Sequence, residues 1–193
     1  MRYKEYNTNS VLEKCIPLFW EKGFRATSIQ EIVEATSVNR FSLYHEFQNK
    51  EGILYNSLKL YQDRYGKPKF KTLNKEGKLA AVLQEFYLLF LQSKEKHQGC
   101  FYIHIGTELA DDDPEIKNLI IDYLSSLQSA LIERLSKEEE TKNNPDFYAR
   151  HLVGLFCTSM SFCLIHSEKQ KQYHIANGIK VILNKKFNHA TST

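Results

Sequence analysis

The chain has 193 residues, of which 42% are hydrophobic and 25% charged, and its net charge is a mild +3. That length holds one large domain, or a small one beside a larger one, each with a proper core. The first ten residues lack the apolar run of a signal peptide. The longest uncharged stretch, Leu152 to Ile165, has 14 residues, short of the roughly 20 that cross a bilayer. No membrane partner is expected, and the location is expected to be cytoplasmic. Four cysteines, Cys15, Cys100, Cys157 and Cys163, show no paired CxxC spacing. That argues against a zinc site or disulfide framework and fits a reducing compartment.

In chain order, Val11, Leu12, Cys15, Ile16 and Phe19 mark an apolar stripe of helical period, interrupted by Pro17, whose missing N–H costs up to about 3 kcal/mol unless the helix kinks. Gly23 suits a left-handed cap, with Phe24 folding back on Phe19. Thr27 or Ser28 can start the next helix, because Gln30 and Glu31 complete a capping box for either choice. Ile29, Ile32 and Val33 form its buried stripe, and it ends at Ala35-Thr36-Ser37. Asn39 is an N-cap for a short helix in which Leu43 and Phe47 face inward. Arg40, Phe41, Ser42, Tyr44 and His45 then face mostly outward. Asn49 caps a further helix opening at Lys50. Two short helices, a tight turn and a polar-aromatic second helix make a helix-turn-helix, whose second helix enters the major groove of DNA. Lys50 at a helix N-terminus is unfavourable for a cation by a few tenths of a kcal/mol, and a phosphate there would reverse the sign.

Phe19, Gly23, Phe24, Thr27, Ile29, Ile32, Val38, Leu43, Tyr44, Phe47, Lys50 and Glu51 together resemble the DNA-binding domain of the TetR/AcrR family of bacterial transcriptional regulators, over roughly residues 8–55. The resemblance implies phosphate contacts from Thr27 or Ser28, Tyr44 and Lys50. It implies base-edge contacts from Arg40, Phe41 and Ser42, with His45 able to do either and the cap Asn39 lying among them. An arginine can bridge guanine O6 and N7, and an aromatic ring can press on a thymine methyl. Ser37 stands where the family has a turn glycine, and Phe41 where a small residue is common.

Charge follows the same division. Through Lys78 there are 14 Lys and Arg against 9 Asp and Glu; from residue 79 there are 12 against 14. Positive charge therefore accompanies the proposed DNA-binding end. Arg2 and Lys4 are placed to form an arm on the DNA backbone, and the lysines of residues 66–78 read as a solvated connection. The expected domains are 1–48, the helix-turn-helix, and 49–193, a regulatory and dimerisation domain, joined by a helix over about 49–65.

Residues 76–93, 114–136, 145–166 and 169–187 all carry the helical period. The fold class is all-α: a three-helix DNA-binding domain and a larger helical bundle, about nine helices in all. The last two helices are expected to pair with a second copy, because 152–165 is apolar nearly all round and rich in small residues. Two recognition helices one DNA turn apart would read a near-palindromic operator in double-stranded DNA.

The regulatory signal is the less legible part. Gly99-Cys100 resembles a subgroup of the family with a cysteine beside the regulatory pocket. A helix N-terminus would lower the pKa of Cys100, and His104 lies one turn on. Phe86, Phe90, Tyr123, Phe156 and Met160 are candidates to line a cavity for an unknown small-molecule effector. The whole reads as a repressor released by an effector or by modification of Cys100. No cofactor, metal site or catalytic residue is expected. The alternatives are a cysteine enzyme using Cys100 and His104, and a helix-turn-helix that contacts protein.

Overall fold

The computed structural model of the chain describes residues 6–91, 99–161 and 165–184. The proposed arm residues Arg2 and Lys4, together with Cys163 and the expected end of the last helix at 185–187, lie outside the described residues.

All regular elements among the described residues are helical. The N-terminal group is α1 (Thr8–Lys22), α2 (Ile29–Thr36), α3 (Arg40–Phe47) and α4 (Lys50–Tyr61). Asn7, Ser28, Asn39 and Asn49 cap them, each side chain accepting an amide of the first turn, which satisfies donors the helix leaves open. The choice between Thr27 and Ser28 falls to Ser28, which forms a full capping box with Glu31. The hydrogen bond from Lys22, followed by those from the Ser28 amide and hydroxyl, holds the Glu31 carboxyl down to about 2. The predicted inner faces are buried: Val11, Leu12, Cys15, Ile16 and Phe19 of α1, Ile32 of α2, and Leu43 and Phe47 of α3. α1 runs unbroken through Pro17.

Three backbone details bear on the expectations. Gly23 has φ +80° but ψ 169°, so it closes α1 with positive φ outside the left-handed helical region. Ser37 does adopt that region, at φ 60° and ψ 22°, with its N–H donating to Val33 O at 2.8 Å. A side chain is strained there, so Ser37→Gly is expected to stabilise the fold by about 1 kcal/mol. The urea midpoint reads this directly; an unchanged or lower midpoint would refute the strain. The connection is helical over much of its length, a π turn (Gln62–Gly66) leading into α5 (Lys67–Phe70) and a 3-10 turn (Lys71–Asn74), and its lysines are exposed as expected except Lys69, which is half-buried. The wide turn lies where Pro68 has no N–H to continue the α ladder. Thr72 and Leu73 are buried, and the Lys69 ammonium lies 4.3 Å from the centre of the Phe90 ring.

The remaining helices, α6 (Leu79–Leu91), α7 (Phe101–Leu109), α8 (Pro114–Leu135), α9 (Pro145–Ser161) and α10 (Glu168–Asn184), form the larger bundle. Asp113, the last of three successive aspartates at 111–113, caps α8 through the amides of Glu115 and Ile116. Ile116, Ile120, Tyr123, Leu127 and Leu131 turn inward as the period predicts. On α9 the inward residues include Leu152, Phe156 and Met160, while Gly154, Thr158 and Ser161 lie outward. Gly178 permits close approach of α10 to α9, since a Cβ there would lie 2.6 Å from Leu155.

Candidate nucleic-acid interface

α3 is held from behind and left open in front. Leu43 and Phe47 anchor it in the core, the Tyr6 hydroxyl donates to Ser42 O at 3.1 Å, and the Thr8 hydroxyl donates to Glu46 at 3.2 Å. Arg40, Phe41 and His45 are exposed, Ser42 and Tyr44 half-buried, and Asn39 is an exposed cap whose Oδ1 accepts the Ser42 amide at 2.9 Å. The Arg40 guanidinium stands over the Tyr44 ring at 5.1 Å. Phe41 therefore does not tuck against a neighbouring helix, the arrangement stability alone would favour.

Thr27 and Lys50, two of the residues expected at phosphates, are both engaged within the domain. Thr27 is fully buried and its hydroxyl donates to Gly23 O at 2.7 Å, so its side chain is committed inside the domain. Ser28 beside it is exposed. Lys50 has a structural reason for its position: its ammonium donates to Phe24 O and Thr27 O, both at 2.9 Å, and lies 4.2 Å from the centre of the Phe24 ring. Two carbonyls offset the macrodipole penalty without a phosphate.

Sequence reasoning missed the device that sets α3 against α4. Gln48 has φ 73° and ψ −55°, and the Asn49 N–H donates to Phe47 O at 2.9 Å. That is a γ-turn in its rare, strained form. It drives the Phe47 carbonyl into the first turn of α4, where a Cβ on Gly52 would lie 1.9 Å from that oxygen. A glycine inside a capped first turn was the available signal.

A second missed residue is Glu108, near the end of α7. Its carboxylate accepts the backbone N–H groups of Phe24 and Arg25, both at 2.8 Å, and Arg25 pairs with Asp112. Gly23 leaves room for it, since a Cβ there would lie 2.7 Å from Glu108 Oε2. The loop between α1 and α2 is thus held by Lys50 from below and by the larger bundle from the side. Trp20 of α1 extends the same junction, 5.6 Å from Phe101 of α7 and 5.3 Å from Tyr61 of α4.

Cys100 lies at the other end of α7, buried at its N-cap position, with its sulfur 3.3 Å from the Tyr123 hydroxyl. Burial pushes its pKa up, and this outweighs the lowering by Tyr123 and by the amides of Ile103 and Tyr102. The expected net lowering by the helix terminus is therefore overturned. The His104 pKa is lowered by burial and raised by Glu108; its electrostatic neighbour is that carboxylate, so no thiol-imidazole pair is indicated. Phe86, Phe90, Tyr123, Phe156 and Met160 are brought together, all buried. Phe90 and Phe156 meet edge to face at 4.9 Å, and Tyr102 stacks on Tyr123 at 4.3 Å. Two cavities bounded by described residues lie elsewhere: one of about 610 Å³ between the start of α6, residues 137–140 and α10, and an open groove of about 510 Å³ along α10. Among the described residues no group of His, Cys, Asp and Glu could hold a metal ion, and no helix is long and apolar enough to cross a membrane.

The model of the family described as "Bacterial regulatory proteins, tetR family" matches residues 12–55, from α1 into α4. The chain is 33% identical over 123 residues to the HTH-type transcriptional repressor ComR of Escherichia coli (strain K12), a match that covers 62% of this chain and 59% of ComR. It is 24% identical over 164 residues to IcaR, the negative transcriptional regulator of the biofilm operon icaADBC in Staphylococcus aureus (strain Newman), covering 83% and 86% of the two chains. Among solved structures, a cysteine mutant of the TetR family transcriptional regulator CifR, complexed with 26 bp double-strand operator DNA, superposes with a TM-score of 0.80 at 15% identity. That superposition covers 93% of this chain and 98% of CifR, and it shows a shared fold.

Proposed function

The chain belongs to the TetR family of bacterial regulatory proteins, and on that premise we propose that it acts as a homodimeric repressor of a near-palindromic operator. Proteins of this family are DNA-binding transcription regulators and not enzymes. The observation that carries the proposal is the outward face of α3, where Arg40, Phe41 and His45 stand exposed beside the Asn39 cap. In this reading Arg40 and Ser42 reach base edges and Tyr44 and Ser28 hold phosphates, which fixes register, while base contacts set sequence. Lys50 acts first as the brace of the α1–α2 loop.

Dimerisation through α9 and α10 is supported by what they leave uncovered. Tyr173 and Val181 of α10 are 70% and 56% exposed, beside the groove along α10 and the small outward residues Gly154, Thr158 and Ser161 of α9. A two-fold pairing there would set two α3 helices about one DNA turn apart. The repressing sense is supported by the repressor and negative-regulator roles of ComR and IcaR. Release requires an effector that binds one domain geometry better than the other. The burial of Cys100 and the rise in its pKa argue against direct attack on its thiol.

The test is selection of duplexes from a random-sequence pool by the purified chain, followed by titration at two salt concentrations. The expected result is a near-palindromic consensus bound with an affinity that falls steeply with salt. Recovery of no consensus would overturn the proposal.

A further inference from the structure

Of the large hydrophobic side chains described, Phe41 is the most exposed, at 80%, while Leu43 and Phe47 of the same helix are buried. Its ring stacks on His45 one turn on, with centroids 6.3 Å apart and planes at 29°. Beside it Arg40 lies over Tyr44. These two i,i+4 pairs run along the outward face of α3 and hold the Phe41 ring with one side turned to an imidazole and the rest in water.

The surroundings narrow what can cover that ring. Its neighbours are a guanidinium, an imidazole and a half-buried phenol, so an apolar protein groove would have to strip water from Arg40 and His45. A major-groove edge instead offers acceptors to those two groups and one apolar projection, the thymine 5-methyl. We propose that Phe41 reads the 5-methyl group of one thymine in each operator half-site, with His45 behind the ring as its support. This rests on the reading of α3 as the DNA-binding helix and adds a feature the operator must contain.

Deoxyuridine separates the methyl from everything else, because it keeps the O4 acceptor and the adenine partner. In a duplex selected by the wild-type chain, each thymine is replaced symmetrically in both half-sites and the affinity is read by fluorescence anisotropy. At one position per half-site the loss is expected to be about fourfold per methyl, hence roughly tenfold or more for the pair. Phe41→Ala is expected to bind more weakly and to be indifferent to that replacement, whereas Phe41→Leu keeps part of the discrimination. Because Phe41 packs against no core residue, neither variant threatens the fold. Wild-type indifference to every replacement, or equal loss in Phe41→Ala, would overturn the assignment while leaving DNA binding intact. Failure of the wild type to select any duplex would overturn the DNA-binding reading itself.

Discussion

Gly52→Ala is expected to abolish operator binding and to destabilise the N-terminal helices by about 3 kcal/mol or more. The new methyl would lie 1.9 Å from Phe47 O, and neither side yields cheaply. Phe47 is locked by the γ-turn at Gln48 and by its own burial, and α4 is held by the Asn49 cap and the buried Ile53 and Leu54. Relief would therefore come from rotating α3 away from α4, which moves Arg40 and Tyr44 together. Urea unfolding and anisotropy on a selected duplex measure the two effects. Glu51→Ala, one residue earlier and exposed, is the control and is expected to cost well under 1 kcal/mol. Equal behaviour of the two variants would show that the close approach carries no weight.

Glu108→Ala is expected to loosen the junction between the two parts of the molecule. The carboxylate accepts two backbone amides of the α1–α2 loop. Hydrogen bonds to a charged group contribute about 1.5–3 kcal/mol each, and the exposed Arg25 amide recovers much of its share from water. The Phe24 amide is the sensitive reporter: its hydrogen exchange is expected to accelerate by roughly tenfold or more, at about 1.4 kcal/mol per decade. Amides inside α9 should be unaffected. Unchanged protection at Phe24 would mean the loop is held without the carboxylate. With Cys100 and the aromatic cluster at one end of α7 and this clamp at the other, the helix spans from the candidate effector region to the reading head.

What could be read in advance was local. The Asn39 and Asn49 caps, the Glu31 capping box and the inward stripe of α8 depend on spacings of a few residues, which the sequence displays. The misreadings involve partners far along the chain. Lys50 looked unexplained because its two acceptors are carbonyls more than 20 residues upstream. Glu108 gave no signal because its partners are backbone amides, which every residue has. Cys100 was placed at a helix terminus correctly, yet its pKa follows from burial by side chains of other elements. The Gly/Pro/Lys composition of 66–78 marked a solvated connection but gave no sign of the packing of Phe70, Thr72 and Leu73, which accompanies its helical turns.

The central claim is that the exposed face of α3 binds DNA. The most direct measurement compares the wild type with the double variant Arg40→Ala, Tyr44→Ala by anisotropy on one selected duplex, with circular dichroism confirming equal helix content. Two side chains per half-site at about 1–3 kcal/mol each predict a loss of at least about a hundredfold in affinity. Equal affinity of the two folded proteins for that duplex would contradict the claim.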